Sequence, residues 1–542
     1  MNRLSGSGRA KMACAAVLLA IAAFWGMAQD QIPVGEKLPT DTVNTSNGPV
    51  RGLIEKDDIC VFRGVRYGAP PVGNLRFMPP RRPEPWTAVA EAYTYGARAM
   101  QSAGGFGETA NLPAMSEDCL FLNVWTRSLG GNKRPVMVWL HGGGFSSGSG
   151  GESVTEGFNL ARKGDVVVVS VNHRLNVFGF LQLGDEWGPE YASSGQAGML
   201  DIVLSLQWVR DNIARFGGNP RNVTIFGESG GGRKVAMLMA MPSAKGLFHK
   251  AIIQSGSGLD APSRAEAIDL GRELLKKLGI AAGDVQALAR AGTQAILDAQ
   301  PRASLSTSPA GRLMVPTGGF VPCVDGSALP RKPFIPDAPA ISADVPLLIG
   351  SNKDEMTIFR ANDAKFGKQT DEEFTSYVRN QLPDKAEELI PALRAAFPGY
   401  SPSHLITAAE TMKGYWIATV LQAERGPKRP ADRRIAHDHR GVEQRQQGDR
   451  IPREATGLGS RANQEYCYDR RGEANGRQQE SGHPERRRPQ EEKGCQQGQQ
   501  SPLLPPRLRE SQPEPGQDGD REKPGGPGGE PQVRVSDHEA PG

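Results

Sequence analysis

The 542-residue chain lacks a strong charge of either sign, and it has few cysteines. It contains 64 basic and 60 acidic residues, a formal net charge of +4, and six dispersed cysteines. So small a net charge creates no large field, and neither nucleic acid nor an anionic membrane is implied as a partner. The cysteines exclude a dense disulfide scaffold and show no CxxC spacing, so we expect no metal.

The chain also lacks an apolar run long enough to cross a membrane. Residues 12–25 are apolar, follow a basic start and precede Gly26-Met27-Ala28. A membrane span needs about 20 apolar residues, whereas a short run ending in small residues is typical of a secretory signal peptide. We therefore expect residues 1–28 to be a signal peptide and the protein to be secreted or periplasmic. The alternative is an uncleaved anchor.

Large apolar residues become scarce towards the C-terminus. Residues 426–542 contain two Ile, four Leu, three Val and no Phe, Trp or Met. Burial of so few apolar side chains cannot offset chain entropy, which predicts a disordered, low-complexity tail. A second hypothesis is a shifted reading frame after Arg425, because out-of-frame GC-rich sequence yields Arg, Gly and Pro. The other two frames of the DNA would distinguish the two explanations.

Upstream of the tail, short β-branched apolar runs alternate with helical patterns. The pattern predicts strands at residues 136–140, 166–171, 223–226, 251–254 and 345–349, and helices at residues 198–216 and 234–241. Continuously apolar strands are buried on both faces, and helices between them allow parallel pairing. We therefore predict an α/β fold with a mainly parallel central sheet flanked by helices.

A GxSxG motif lies between a predicted strand and a predicted helix. In 'NVTIFGESGGG', Ser229 stands between Gly227-Glu228 and Gly230-Gly231. A sharp strand-to-helix turn strains the serine backbone and exposes its hydroxyl, and glycines remove the Cβ atoms that would clash. The context favours a catalytic nucleophile over a plain glycine turn.

A second glycine motif, 'HGGGF', follows the predicted strand at residues 136–140. Ester attack places negative charge on the carbonyl oxygen, and the N–H groups of Gly143, Gly144 and Gly230 could bind that oxyanion. Loss of one such donor typically raises the barrier by about 3 to 4 kcal/mol. A flexible glycine linker is the alternative, but it does not explain the preceding strand.

With these motifs the chain resembles the type-B carboxylesterases, the family that includes the cholinesterases. The resemblance extends from about Gly48 to Arg425 through blocks such as 'FRGVRYGAPPVGNLRFMPP', 'SEDCLFLNVW', 'VNHRLNVFGFL' and 'LLIGSNKDEMTIF'. It implies an α/β-hydrolase domain at residues 29–425 that lacks its C-terminal elements. It also implies cleavage of small carboxylic esters through a Ser229 acyl-enzyme, with no cofactor.

The resemblance also suggests a catalytic acid. The family pattern GxNxDEG maps onto Gly350, Asn352, Asp354 and Glu355, with Met356 replacing the last glycine. Glu355 would fix the imidazole tautomer and stabilise the imidazolium. Without the resemblance, a solvated loop carboxylate remains the alternative.

The triad histidine remains unassigned. The order serine, acid, histidine requires a histidine after Glu355, and none there stands in the family's setting of a short loop, an acidic residue and an apolar run. The candidates are His404, His437, His439, His483 and His538. Two alternatives to an active esterase therefore stay open, namely a catalytically impaired esterase-like binding protein and an inactive frameshifted product.

Other residues have expected structural roles. The resemblance implies a buried ion pair between Arg76 and Glu117, and structural roles for His173 and His249. Cys119 has a bridge partner upstream in many relatives, but 'RAMQSAGG' offers none, so the thiol could be free. Choline specificity in relatives relies on a tryptophan before 'SEDCL'; residues 98–115 contain Phe106 instead, which favours aliphatic or aryl esters.

We predict that export removes residues 1–28, because small residues stand three and one positions before the cut. Intact-mass analysis of the exported protein should give a chain that begins at Gln29. Recovery of exported protein that retains residues 1–28 would contradict the prediction.

Overall fold

The computed structural model describes residues 38–102, 112–131, 133–301, 304–307, 314–317, 319–361 and 363–426. The expected signal peptide, Phe106, and the tail with its four histidines lie outside these residues.

Fourteen strands occur in the described part of the chain. They are β1 (Leu38–Pro39), β2 (Val43–Asn44), β3 (Pro49–Arg51), β4 (Leu53–Ile54), β5 (Cys60–Arg66), β6 (Ala90–Glu91), β7 (Phe121–Thr126), β8 (Arg134–Leu140), β9 (Val167–Val171), β10 (Gly218–Glu228), β11 (Lys250–Gln254), β12 (Ser304–Thr307), β13 (Met314–Thr317) and β14 (Leu347–Gly350). The five strands predicted from apolar runs are confirmed within a few residues at each end, except that β10 begins five residues earlier.

The α-helices in the described part of the chain are likewise numbered in chain order. They are α1 (Phe158–Gly164), α2 (Asn176–Phe180), α3 (Ala197–Asn212), α4 (Gly230–Ala240), α5 (Arg264–Lys277), α6 (Val285–Arg290), α7 (Thr293–Ala299), α8 (Thr357–Arg360), α9 (Asp371–Gln381), α10 (Ala386–Ala396), α11 (Pro402–Thr411) and α12 (Ile417–Arg425). A π-helical turn, Met412–Trp416, joins α11 to α12. The two predicted helices correspond to α3, extended by a 3-10 turn, and to α4.

Nine strands form the central sheet in the order β1-β4-β5-β7-β9-β8-β10-β11-β14. The strands from β9 to β14 in this order pair in parallel, whereas β1, β4, β5 and β7 pair antiparallel. In parallel sheets, ligands bind beyond the carboxyl ends of the strands. The parallel half therefore brings together the loops that follow β8, β10 and β14.

Burial on both faces explains why the central strands are so apolar. All five residues of β9, Val-Val-Val-Ser-Val, are buried, and in β8 the buried Val136, Val138 and Leu140 alternate with more exposed positions. Helices α3 and α4 are themselves mostly buried. The large core cluster therefore extends through the sheet and into its covering helices.

A smaller apolar cluster lies among the helices near the end of the described chain. Its buried members come from α9, α10 and α11 and their surroundings, namely Phe374, Val378, Ala386, Leu393, Leu405 and Ile406. Capping boxes at Ser263 for α5 and Thr370 for α9 satisfy backbone donors at both helix starts. Among the described helices, none is both long and apolar enough for a bilayer crossing.

A fully buried ion pair joins the segment that follows β9 to helix α3. The Arg174 and Asp201 side chains are 3% and 0% exposed, with a separation of 2.6 Å between Nη2 and Oδ1. Asp201 Oδ2 also accepts hydrogen bonds from Arg174 N and Nε, both at 2.9 Å. Each charge is buried only because the other compensates it.

We predict that Asp201→Asn destabilises the fold by about 3 to 5 kcal/mol, because it leaves the Arg174 charge buried without a counter-ion. The matched control is Asp269→Asn, whose carboxylate is 73% exposed and pairs with Arg272 at 3.4 Å. That control should change stability by less than about 0.5 kcal/mol. Urea unfolding of both variants measures the difference, and equal small effects would refute the prediction.

Candidate active site

Ser229 is the single residue between β10 and α4. Its backbone has φ 54° and ψ −119°, outside the regions that residues with a Cβ normally adopt. Ser229 N donates to Gln254 O at 2.8 Å, and Ser229 O accepts from Arg233 N at 3.2 Å. These bonds to β11 and α4 hold a conformation that is strained by itself, as is common at functional sites.

Gly230 brings this turn into direct contact with the loop after β8. A Cβ at Gly230 would lie 2.3 Å from Gly144 O and 2.4 Å from both Gly144 Cα and Gly144 N. No side chain fits there, because all three obstructing atoms belong to the backbone. The absence of a Cβ therefore allows the Ser229 turn to pack directly on the Gly144 backbone.

The loop after β8 has a backbone that also requires glycine. Gly143 and Gly144 have φ values of 77° and 63°. The N–H groups of Ser146 and Ser147 both donate to Gly143 O, at 3.2 and 3.1 Å, which closes the loop into a turn. Gly143, Gly144 and Gly230, the predicted oxyanion-binding residues, thus belong to two backbone segments in contact beside Ser229.

A buried lysine supports the glycine loop from behind. Lys234 is completely buried on α4, its Nζ donates to His141 O at 2.9 Å, and it lies 5.7 Å from the Phe145 ring centre. Burial lowers the pKa of Lys234 to about 7, an effect that the charge of Glu152 partly offsets. This role was not predictable from the sequence, because the lysine lies within the predicted helix without a recognisable motif.

Glu355 lies in the loop after β14 and is 9% exposed. Its Oε1 accepts a hydrogen bond from Asn352 N at 2.7 Å, and its Oε2 accepts one from Asn352 Nδ2 at 3.2 Å. Met356 N donates to Thr411 Oγ1 at 3.1 Å, which connects this loop to α11. The carboxylate predicted to be the triad acid is therefore buried and held in one orientation.

Glu228, the last residue of β10, is a second carboxyl group at the site. The residue is exposed at the surface, but the protein around its carboxyl group removes part of the hydration of that group. This lost hydration is the larger cause, and the charge of Glu355 the smaller one, of a pKa raised to about 7. The pKa of Tyr415, in the π-helical turn, is also raised. Burial of Tyr415 is the largest cause, and the charges of both glutamates add to it. The GxSxG pattern contained Glu228 but gave no indication of this electrostatic coupling.

No histidine in the described chain is bonded to Glu355. His141 and His173 are buried and stacked with ring centres 4.9 Å apart, and burial lowers the pKa of each well below its usual value. His249 Nδ1 accepts from Val223 N at 3.2 Å, and His404 Nδ1 lies 2.7 Å from Ser401 Oγ. Their surroundings are those of structural histidines, although Nε2 of His141 and of His173 has no partner among the described residues.

Two further predictions concern the surroundings of the site. Arg76 and Glu117 form the expected ion pair, with Nη2 and Oε1 2.6 Å apart and both side chains less than one-tenth exposed. Cys119 is buried and free, as the missing upstream cysteine suggested. The described residues contain no group of three or more His, Cys, Asp or Glu arranged to hold a metal ion.

Comparison with known proteins agrees with this geometry. The family model described as "Carboxylesterase family" matches residues 39–415. Para-nitrobenzyl esterase of Bacillus subtilis (strain 168) is 37% identical over 352 residues, which cover 64% of this chain and 70% of that protein. Phenmedipham hydrolase of Pseudarthrobacter oxydans is 34% identical over 349 residues, which cover 63% and 67% respectively.

Solved structures show the same relationship. The crystal structure of Geobacillus stearothermophilus carboxylesterase EST55 at pH 6.2 superimposes with a TM-score of 0.61 and 36% identity, covering 71% of this chain and 77% of that one. A structure titled PNB esterase gives a TM-score of 0.57 and 34% identity, covering 71% and 78%. These likenesses confirm the α/β-hydrolase fold expected from the sequence.

We predict that stability rises with pH above neutrality because of Lys234. Its pKa is about 7 in the fold against an ordinary 10.5, so between these values the unfolded chain binds more protons. The free energy of unfolding should therefore increase with pH across this window, by up to about 1.4 kcal/mol per pH unit. Urea unfolding at pH 7, 8 and 9 measures the slope.

Lys234→Met should flatten this slope, although it leaves His141 O without a donor, which costs about 1 to 3 kcal/mol at every pH. The control is Lys250→Met, because Lys250 is exposed and its Nζ contacts Asn222 Oδ1. The control should keep the slope of the parent protein. An unchanged slope in Lys234→Met would refute the assignment.

Proposed function

Because the chain belongs to the carboxylesterase family, whose members are carboxylic ester hydrolases, we propose that Ser229 is the nucleophile with which it cleaves esters. The observation that carries this proposal is the contact between the strained Ser229 turn and the Gly144 backbone. A nucleophile needs oxyanion donors about 3 Å from the reacting carbonyl oxygen, and the close approach of the Gly144 backbone to the serine turn supports this role for Ser229.

In this mechanism Ser229 Oγ attacks the ester carbonyl carbon, and the N–H groups of Gly143, Gly144 and Gly230 bind the oxyanion. The alcohol leaves, and water then hydrolyses the acyl-enzyme. Glu355 is the proposed triad acid, which is consistent with its burial and its two hydrogen bonds from Asn352. No cofactor takes part in these steps.

The proposed substrates are small, uncharged aliphatic or aryl esters. A net charge of +4 over 542 residues provides little attraction for a charged substrate. Relatives whose names specify para-nitrobenzyl esters and phenmedipham are consistent with this class. The absence of tryptophan from residues 98–115 argues against quaternary-ammonium esters.

We further propose that residues 29–425 form the hydrolase domain of an exported protein. The basis is the N-terminal pattern of residues 1–28 and the match of the family model to residues 39–415. Residues 426–542 would be a low-complexity tail that contributes little buried apolar area.

A second candidate function is an esterase-like protein with impaired catalysis. The observation that favours it is that the four described histidines have structural surroundings, while Glu355 bonds to Asn352. A serine enzyme without its histidine keeps only the acceleration due to the oxyanion hole and substrate binding. Impaired turnover, with Ser229 still more reactive than an ordinary surface serine, is therefore the form of activity that we expect.

We predict that a fluorophosphonate probe labels Ser229 and that Ser229→Ala abolishes labelling. Turnover of p-nitrophenyl acetate and butyrate should be orders of magnitude below that of an intact triad enzyme. The control is Ser327→Ala, because Ser327 is exposed in a turn where its N donates to Asp325 Oδ1. Labelling of Ser229→Ala equal to the parent would rule out the nucleophile assignment.

A further inference from the structure

The two ends of the central sheet differ in how well they are protected from pairing with another strand. At one end, β1 is two residues long and contains Pro39, which has no backbone N–H. Short edge strands and edge prolines prevent further pairing. At the other end, β14 pairs only with β11 among the described strands, and it contains neither proline nor a charged side chain. The edge of β14 is therefore open and unprotected.

The pairing of β14 with β11 shows which backbone groups face the open edge. Ser255 N, just beyond β11, donates to Gly350 O at 2.8 Å. Alternate residues of a strand direct their N–H and C=O groups to opposite edges, so Leu348 also faces β11. The N–H and C=O groups of Leu347 and Ile349 therefore point away from β11, where no other described strand pairs with them.

Exposed apolar side chains occur on β14, on the helix that follows it and on a helix that contacts it. Leu348 is 43% exposed. Helix α8, which follows β14, exposes Ile358 and Phe359, and helix α12, which contacts β14, exposes Ile417 and Val420. Exposed apolar surface of this kind commonly marks a protein–protein contact. The open edge and these apolar side chains occur in the same part of the fold.

We propose that β14 pairs antiparallel with β14 of a second copy of this chain, so that two central sheets join across a two-fold axis. Leu348 lies midway between the two residues whose backbone groups face outward. An axis at Leu348 therefore places Leu347 of each copy opposite Ile349 of the other, and each such pair exchanges both of its N–H···O bonds. This surface is distinct from the proposed ester-cleaving residues.

A second copy fits this edge because the edge is complementary to itself. In the pairing about the axis, the two Leu348 residues form a non-hydrogen-bonded pair. The Cα atoms of such a pair are about 4.5 Å apart, and the side chains are closest there. Each exposed leucine therefore covers the other. A net charge of +4 over 542 residues gives only weak repulsion between two copies.

The strand alone is too short to hold two molecules together. Specific interfaces bury about 1,200 to 2,000 Å² in total, whereas β14 has four residues. Because α12 contacts β14, its exposed Ile417 and Val420 are the side chains that would add apolar area to the interface. We therefore expect a reversible dimer whose apparent stability rises with protein concentration.

Substitution of Leu348 tests the position of the axis. Light scattering during gel filtration should give the parent protein the mass of two chains. Leu348→Lys should give the mass of one, because it places like charges directly opposite each other. The control is Leu38→Lys, at a residue that is 59% exposed on β1 at the other end of the sheet, and it should stay dimeric.

A disulfide tests the same axis covalently. In the described residues the cysteines are buried, so the background needs serine only at the remaining three, Cys14, Cys467 and Cys495. In that background, mild oxidation of Leu348→Cys should give a covalent dimer, because the expected Cα separation lies within the range that a disulfide spans. Leu38→Cys, oxidised in the same way, should stay monomeric on a non-reducing gel.

A second variant keeps the test decisive if Leu348→Lys does not fold. Leu347→Pro removes an outward N–H and no bond to β11, so it should also give the mass of one chain, with folding checked by the unfolding transition. A parent protein that is monomeric at every concentration would overturn the proposal. A dimer that survives in a folded Leu347→Pro or Leu348→Lys variant would do the same, as would equal cross-linking through Leu38→Cys.

Discussion

The contact between the Gly230 and Gly144 backbones is the constraint on which the rest of the site depends. It is possible only with glycine at position 230, since a Cβ there would overlap three backbone atoms of Gly144. The parallel pairing of β8 with β10 brings the two segments to the same edge of the sheet. Strain at Ser229 is then offset by bonds to Gln254 and Arg233, and the sheet as a whole holds the turn in place.

Much of this arrangement could be predicted from the sequence because it depends on local pattern. Three glycines after an apolar strand and a GxSxG before a helix are short-range features, and so are the apolar runs that became β8, β9 and β10. The Arg76–Glu117 pair and the role of Glu355 were accessible only through resemblance to a family, because the two members of the pair are distant in sequence and Glu355 is distant in sequence from Ser229. Their geometry had no local signature.

The electrostatics of the site could not be predicted in the same way. Lys234 and Glu228 each stand in a motif or helix that would tolerate other residues, and their altered pKa values arise from what packs around them in three dimensions. Desolvation depends on neighbours from several elements. In the antiparallel half of the sheet, β1 and β4 escaped prediction because they are only two residues long and show no period.

The position of the acid loop depends on a part of the molecule with its own small core. Thr411 Oγ1 accepts a hydrogen bond from Met356 N, and Trp416 Nε1 donates to Asn352 O at 2.8 Å, so α11 and the π-helical turn support the residues around Glu355.

The apolar cluster of α9, α10 and α11 is separate from the main core. Small clusters open at lower free energy than large ones. Loosening of these helices would release Asn352 and Glu355 while the strained Ser229 turn, which is held by β11 and α4, stayed in place. The nucleophile and the acid are thus held by parts of the structure that differ in stability. As the protein is destabilised, ester turnover should therefore be lost before the reactivity of Ser229.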